Sequence, residues 1–287
     1  MKRDALTMTL LYDYYGAVLS DKQRTCFDLY YNQDFSLSEI AEELGISRQG
    51  VHESVTRAEQ LLSSMEEKCS RLRSLGVDRV EVVEFTREFA SMTAGEYLKE
   101  IVCGKYAGTS LVLGYDNRLG SDQLTPEDTS GIAASMGLET IVCEPVGQIS
   151  STKIRSALSE GNIRLANEWL GYEYSLKGVV VPGRQLGRTI GFPTANVQLY
   201  DPLKMLPRRG AYVSKVRTVG RELYGMTNVG DVLETHIFDF DEDIYGLEFE
   251  MSFVDFLRDE KKFSSIDELK NQLSLDEVSA KNRIFGI

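Results

Sequence analysis

The sequence predicts a multidomain α+β protein: a helical head containing a helix-turn-helix, an α/β segment with a parallel sheet, and a C-terminal antiparallel β-barrel with a closing helix. Three observations carry this reading. Apolar residues recur at steps of three and four over residues 1 to about 70. Strand-like and helix-like stretches alternate from about 77 to 172. From about 173 onward the apolar spacing switches to two. A length of 287 residues suits two or three domains. With 42% apolar and 26% charged residues the chain is globular, which excludes disordered, collagen-like and disulfide-packed classes.

In the head, Ser36 and Glu39 form a capping box, each side chain serving the other's free backbone N–H. Ile40, Ala41 and Leu44 give an apolar face, and Gly45 suits a left-handed stop. Ser47 caps a second helix whose apolar positions are Val51, Val55, Ala58 and Leu62. Two helices joined by a three-residue turn containing Gly make a helix-turn-helix.

The middle segment offers three short apolar runs, VEVVEF, LVLGY and ETIVCEPV, expected as the strands of a βαβαβ unit. TAGEYLKEIVCG and PEDTSGIAASMG supply the helices between them, and STKIRSALSEG and IRLANEWLG supply two more. In the third segment, SLKGVVV, AYVSKVRTV, ELYGMTNV, ETHIFDF and GLEFEMSFVDF read as closely spaced antiparallel strands, the pattern of a small barrel. SSIDELKNQL reads as its closing helix.

The chemistry concentrates in GRQLGRTIGFPTAN, Gly183 to Asn196. Three glycines let the backbone approach a ligand closely. Pro193 stiffens the exit, and Thr194 and Asn196 offer oxygen ligands suited to Mg²⁺ and the phosphates it bridges. No GK[ST] follows the glycines, so this is not a P-loop.

GRTIGFPTAN, LPRRGAYVSKV, GMTNVG, ETHIFDFDEDIYG and FLRDEKKFSSIDELKNQ, in that order, resemble the riboflavin kinase domain of bacterial bifunctional riboflavin kinase/FAD synthetases. The resemblance implies a six-stranded barrel with a C-terminal helix, and ATP-dependent phosphorylation of riboflavin to FMN. It implies an ATP and Mg²⁺ site at Gly187, Arg188, Gly191, Pro193, Thr194 and Asn196, with Thr194 and Asn196 as metal ligands. It makes Glu234 the catalytic base and places Arg258 and Phe263 on the flavin. A carboxylate suits that role because it accepts the hydroxyl proton while Mg²⁺ and the glycine-rich loop neutralise the γ-phosphate. One departure stands out. The family carries a longer flap loop between the NVG motif and the catalytic strand, whereas here Asp231, Val232 and Leu233 alone separate Gly230 from Glu234.

LGVDRVEVVEFTREFASMTAGEYL, LVLGYDNRLG and ISSTKIRSALSEGNIRLANEWLG resemble the adenylyltransferase half of the same enzymes. That implies a truncated Rossmann-like α/β nucleotidyltransferase remnant, with a nucleotide site at Gly114, Arg118, Ser151, Thr152 and Arg155. A Ser/Thr cap with Arg one turn later is a good anion site. The family's HxGH motif has no counterpart, because the two histidines of this chain are His52 and His236. FMN adenylyltransferase activity is therefore expected to be lost or very weak.

TLLYDYYGAVLSDKQRTCFDLYYNQDFSLSEIAEELGISRQGVHESVTRAEQLL resembles YlxM-type helix-turn-helix proteins, which are linked to signal recognition particle genes. The resemblance points Arg48, Gln49 and His52 at DNA or a partner. Residues 1–70 hold 7 basic and 12 acidic residues, a poor electrostatic footprint for DNA. A signal recognition particle-related partner or self-association is expected ahead of weak DNA binding. The expected domains are residues 1–72, 73–172 and 173–287.

The net charge of −12 repels nucleic acid on average. Cys26, Cys69, Cys103 and Cys143 form no CxxC pair, so neither structural zinc nor a disulfide framework is expected. No apolar run reaches the roughly 18 residues of a membrane span, and the opening MKRDALTMTLLYDYYG does not read as a signal peptide. The expectation is a cytoplasmic enzyme using Mg²⁺, ATP and riboflavin. Two other classes stay open: a flavin-responsive helix-turn-helix transcriptional regulator, and a catalytically inactive fusion acting as a binding protein.

Overall fold

The computed structural model describes residues 5–183 and 186–286. The chain divides into two compact units, Met1–Gln148 and Ile149–Ile287.

The first unit opens with helices α1 (Ala5–Tyr15), α2 (Asp21–Phe27, continued by a wider turn to Asn32), α3 (Leu37–Leu44) and α4 (Arg48–Ser74). Sequence chemistry sets their ends. The Ser36–Glu39 capping box forms in full, Gly45 stops α3 at φ 62°, and Ser47 accepts from the Gly50 N–H. Phe27, Ile40, Val51 and Leu62 are buried together, with Phe27 stacked between Tyr12 and Tyr31. Then come α5 (Arg87–Ser91), α6 (Ala94–Glu96, running on to Lys105), β1 (Ser110–Gly114), α7 (Pro126–Ser135) and β2 (Glu139–Cys143). β1 and β2 pair in parallel, with Ser110 opposite Glu139.

One expected strand does not form. The run VEVVEF, residues 80–85, lies outside any sheet. Val80 and Val82 pack on the apolar cluster of the helical head, so their alternate-residue pattern serves helices rather than a third strand. The sheet therefore has two strands instead of three.

The second unit starts with α8 (Ser151–Glu160) and α9 (Ile163–Leu170). A closed barrel follows: β3 (Ser175–Val181), β4 (Ala195–Leu199), β5 (Gly210–Thr218), β6 (Arg221–Val229), β7 (Leu233–Ile237) and β8 (Glu248–Asp259), with α10 (Leu186–Thr189) before β4 and α11 (Ile266–Phe285) at the end. The strand order around the barrel is β3-β4-β7-β6-β5-β8. β4, the exit of the PTAN turn, is the strand that period-two reading of the sequence missed, because its five residues carry only three apolar ones.

Ala157, Leu158, Ile163 and Ala166 of α8 and α9 join the barrel core beside Leu176, Phe249 and Phe253. Asn167 reinforces the contact: its side-chain amide donates to the Phe253 carbonyl and accepts from the Tyr174 N–H, each at 2.8 Å. By packing, these two helices belong with the barrel. On the barrel's outer surface a second cluster joins Ile190, Phe192, Met226 and Phe238 to Ala280 of α11. Among the described residues no helix is long and apolar enough to cross a membrane.

Candidate active site on the barrel wall

β7 alternates strictly. Leu233, Thr235 and Ile237 face the barrel interior, and the Thr235 hydroxyl meets that of Thr227 there at 2.9 Å. Glu234 and His236 therefore face outward, toward the loop of residues 186–194 and α11. Register then assembles a polar row. Asn196 of β4 stands opposite Glu234, and Glu234 stands opposite Asn228 of β6. Directly opposed residues share a face of the sheet, so one carboxylate lies between two carboxamides.

The glycine-rich loop is built against this row. A Cβ on Gly187 would lie 2.1 Å from the Phe192 carbonyl oxygen and 3.5 Å from Thr194 Oγ1. Gly191 takes φ +88°, a left-handed conformation that favours glycine. The loop closes on itself through the Phe192 N–H, which donates to the Gly187 carbonyl at 2.8 Å.

Two recesses meet at Thr194. One, of about 340 Å³, is lined by Gly187, Thr194, Asn228, Glu234, His236, Arg258, Phe263 and Asp276 among others. The other, of about 280 Å³, includes Arg188, Pro193, Thr194 and Thr235, with Asp241 to Tyr245 on its far side. Of the residues read from sequence, Gly187, Thr194, Glu234, Arg258 and Phe263 are thus gathered in one recess, and Arg188 and Pro193 in its neighbour. Gly191 shapes the turn, and Asn196 is buried at the start of β4.

Arg258 is held rigidly. Its Nε and Nη2 donate to the Asp276 carboxylate at 2.6 to 3.0 Å, and Gln272 donates to the same carboxylate at 2.9 Å. The guanidinium sits 5.8 Å from the Phe263 ring centroid, and the Lys261 ammonium 5.5 Å from it. The β6–β7 turn is three residues long, Gly230 to Val232. Arg209 pairs with Asp231 in that turn and with Glu260 at 3.5 Å, which raises the guanidinium pKa above its ordinary value.

Asn228, His236 and Asp276 line the recess without having been singled out from sequence. Asn228 lies in the GMTNVG motif, and His236 is one strand period after Glu234, so both left a signal. Asp276 left none, because it is separated from Arg258 by 18 residues and meets it only when α11 folds back.

The other expected sites sit elsewhere. Gly114 and Arg118 are in the first unit, and Ser151, Thr152 and Arg155 in the second. The cap of α8 is Ser150, which accepts from the Lys153 N–H at 3.3 Å. Ser151 and Thr152 are its first helical residues instead of caps, and they and Arg155 are exposed. Arg48, Gln49 and His52 are exposed in the first turns of α4, and Gln49 donates to Glu53 at 3.2 Å.

A closed six-stranded antiparallel barrel with a helix over its outer wall and a glycine-rich turn between two recesses has the form of a riboflavin kinase domain, and the riboflavin kinase family profile matches residues 170–284. The FAD synthetase profile matches residues 49–158, and that of YlxM / p13 like helix-turn-helix proteins matches residues 2–88. The bifunctional riboflavin kinase/FMN adenylyltransferase of Escherichia coli K12 is 34% identical over 249 residues, covering 80% of this chain and 78% of that protein. The Bacillus subtilis 168 enzyme of the same description is 32% identical over 237 residues, covering 77% and 74%. A crystal structure described as a macrolide-efflux protein from Streptococcus pneumoniae superposes with a TM-score of 0.68 at 34% identity, covering 78% of this chain and 77% of that one. The chain belongs to the bifunctional riboflavin kinase/FMN adenylyltransferase family.

Proposed function

We propose that the barrel transfers the γ-phosphoryl group of ATP to the ribityl 5′-hydroxyl of riboflavin, giving FMN and ADP. The observation that carries this is the row Asn196–Glu234–Asn228 beside Thr194, where the two recesses meet. Two substrates with one reacting centre need two recesses with one shared wall. Glu234 accepts the hydroxyl proton as the oxygen attacks phosphorus, and Arg258 with Phe263 orients the flavin.

The donor types suit Mg²⁺: Thr194 lines the recess with Glu234, and Asn196 stands opposite Glu234 in the ladder, a hydroxyl, an amide and a carboxylate, all hard ligands. Among the described residues no group of three His, Cys, Asp or Glu side chains gathers in metal-binding geometry, so substrate phosphates and water would complete the shell. When bound, the ion neutralises charge on the transferring phosphate. Arg188, Gly187 and Gly191 shape the phosphate side.

The short β6–β7 turn supports a raised requirement for flavin, because less chain covers the recess. Adenylyl transfer is inferred to be lost or very weak, since neither His52 nor His236 belongs to an HxGH sequence. By sequence resemblance the domains are taken as 1–72, 73–172 and 173–287, while α8 and α9, the last helices of the middle segment, pack with the barrel in the second unit. The head reads as an interaction module for protein or self-association, because Arg48 and His52 stand in an acidic segment.

The test is direct: purified protein with riboflavin and Mg-ATP should form FMN, detected by chromatography. Absence of FMN at saturating riboflavin would overturn the reading and favour the inactive binding protein.

A further inference from the structure

The β4–β7 ladder ends at the pair Ala195 and Thr235. The next register pair is Thr194 and His236, and beyond it, among the described residues, no backbone bond ties the catalytic strand to the turn that carries Thr194. A side chain takes over there. His236 Nδ1 lies 2.8 Å from the Pro193 carbonyl oxygen. A carbonyl only accepts, so Nδ1 carries the proton. The imidazole also meets Phe192 edge-on at 5.3 Å and Phe238 at 5.9 Å.

Both ends of this link are stiff. On the strand side, Met226 of β6 pairs with His236, and Gly225 lies so close that a Cβ would be 2.3 Å from the His236 carbonyl oxygen. On the loop side, Pro193 has a fixed φ, and Phe192 is bonded back to Gly187. Moving the Pro193 carbonyl therefore moves Gly187 and Thr194 as one body relative to Glu234.

We propose that His236 is a positioning residue for the kinase site: through its bond to Pro193 it holds the Thr194 turn in register with Glu234. The inference rests on the kinase reading of that site. It predicts the larger effect on the nucleotide side: His236 lines the recess that also holds Arg258 and Phe263, but those two are anchored through Asp276 and not through His236.

Three variants of the full chain separate the hydrogen bond from the ring. His236→Phe keeps the aromatic edge contacts and removes the donor. His236→Asn keeps a donor at the Nδ1 position and removes the ring. His236→Gln moves the donor past that position and substitutes for the Phe variant should the latter fail to fold. Thermal unfolding verifies folding, titration calorimetry reads Mg-ATP affinity, and steady-state assays read KM for each substrate. The Phe and Gln variants should bind Mg-ATP about tenfold more weakly and show an about tenfold higher KM for ATP, the worth of one hydrogen bond with its positioning effect. KM for riboflavin should stay within about twofold, and His236→Asn should recover to within about threefold of wild type.

Wild-type Mg-ATP affinity in His236→Phe would overturn the proposal. So would His236→Asn binding as weakly as His236→Phe, or riboflavin KM rising in step with that for ATP. A wild-type protein that binds Mg-ATP but makes no FMN would defeat the kinase reading, while the binding comparison would still decide the role of His236. A wild-type protein that does not bind Mg-ATP would defeat both.

Discussion

The barrel and the two-stranded sheet of the first unit solve the same problem to different degrees. In the barrel every strand has two neighbours, and the closed order leaves no free edge. Its core includes Leu176, Phe249, Met251 and Phe253, none with accessible surface. In the first unit, among the described residues, β1 and β2 pair only with each other. Parallel strands ordinarily have both faces covered, yet Val112 is 63% and Ile141 49% exposed. The lesson concerns function as much as stability. Closure lets three strands hold Asn196, Glu234 and Asn228 in a row fixed by register, so a short flap turn leaves the row in place.

The comparison breaks most sharply on activity. Protein given FMN and Mg-ATP should make no more FAD than a blank, whereas FMN formation from riboflavin proceeds. FAD with stoichiometric pyrophosphate would show that another group stands in for the missing histidines, and the contrast would collapse. Glu234→Gln comes next. It removes the proposed proton acceptor but keeps the shape, and turnover should fall by about 100-fold or more. Wild-type turnover in that variant would move the base elsewhere.

Stability sharpens the same contrast. Phe253→Ala removes a ring that packs on Tyr212 at 5.2 Å inside the barrel, and urea unfolding should show a loss of about 3 to 5 kcal/mol. Ile141→Ala on the open sheet should change stability by no more than about 0.5 kcal/mol. Equal effects would mean that the sheet is covered and the difference between the regions is smaller than argued. The smallest effect is local to the head: Ser36→Ala removes the cap of α3 and should cost about 1 kcal/mol. The Glu39 carboxyl, whose pKa is lowered by its bonds to Ser36, should show that stabilisation above the ordinary carboxylate range and lose it as pH falls through its own lowered pKa. A pH titration of head unfolding with and without Ser36 checks the sign.

Local rules were enough for much of this molecule. Gly45, Ser36 and Ser47 ended helices where capping chemistry demands it, since a cap needs only residues three positions away. Period-two spacing locates five barrel strands, and the resemblance of GRTIGFPTAN and ETHIFDF points to Thr194 and Glu234 from the sequence alone. VEVVEF misled because alternation reports one buried face and not what buries it; helices of the head did so through Val80 and Val82.

What only the tertiary structure decided are relations between distant segments. The packing of α8 and α9 on the barrel depends on Ala157, Leu158, Ile163 and Ala166 meeting strands that lie later in the chain. The bond from Asp276 to Arg258 requires α11 to return along the barrel wall. The link from His236 to Pro193 spans 43 residues and exists only because β4 and β7 are neighbours. Residue type and spacing determine what a short stretch can form, because caps, turns and alternation are short-range. Which side chains face each other across a closed barrel is set by strand order and register, which no local pattern encodes.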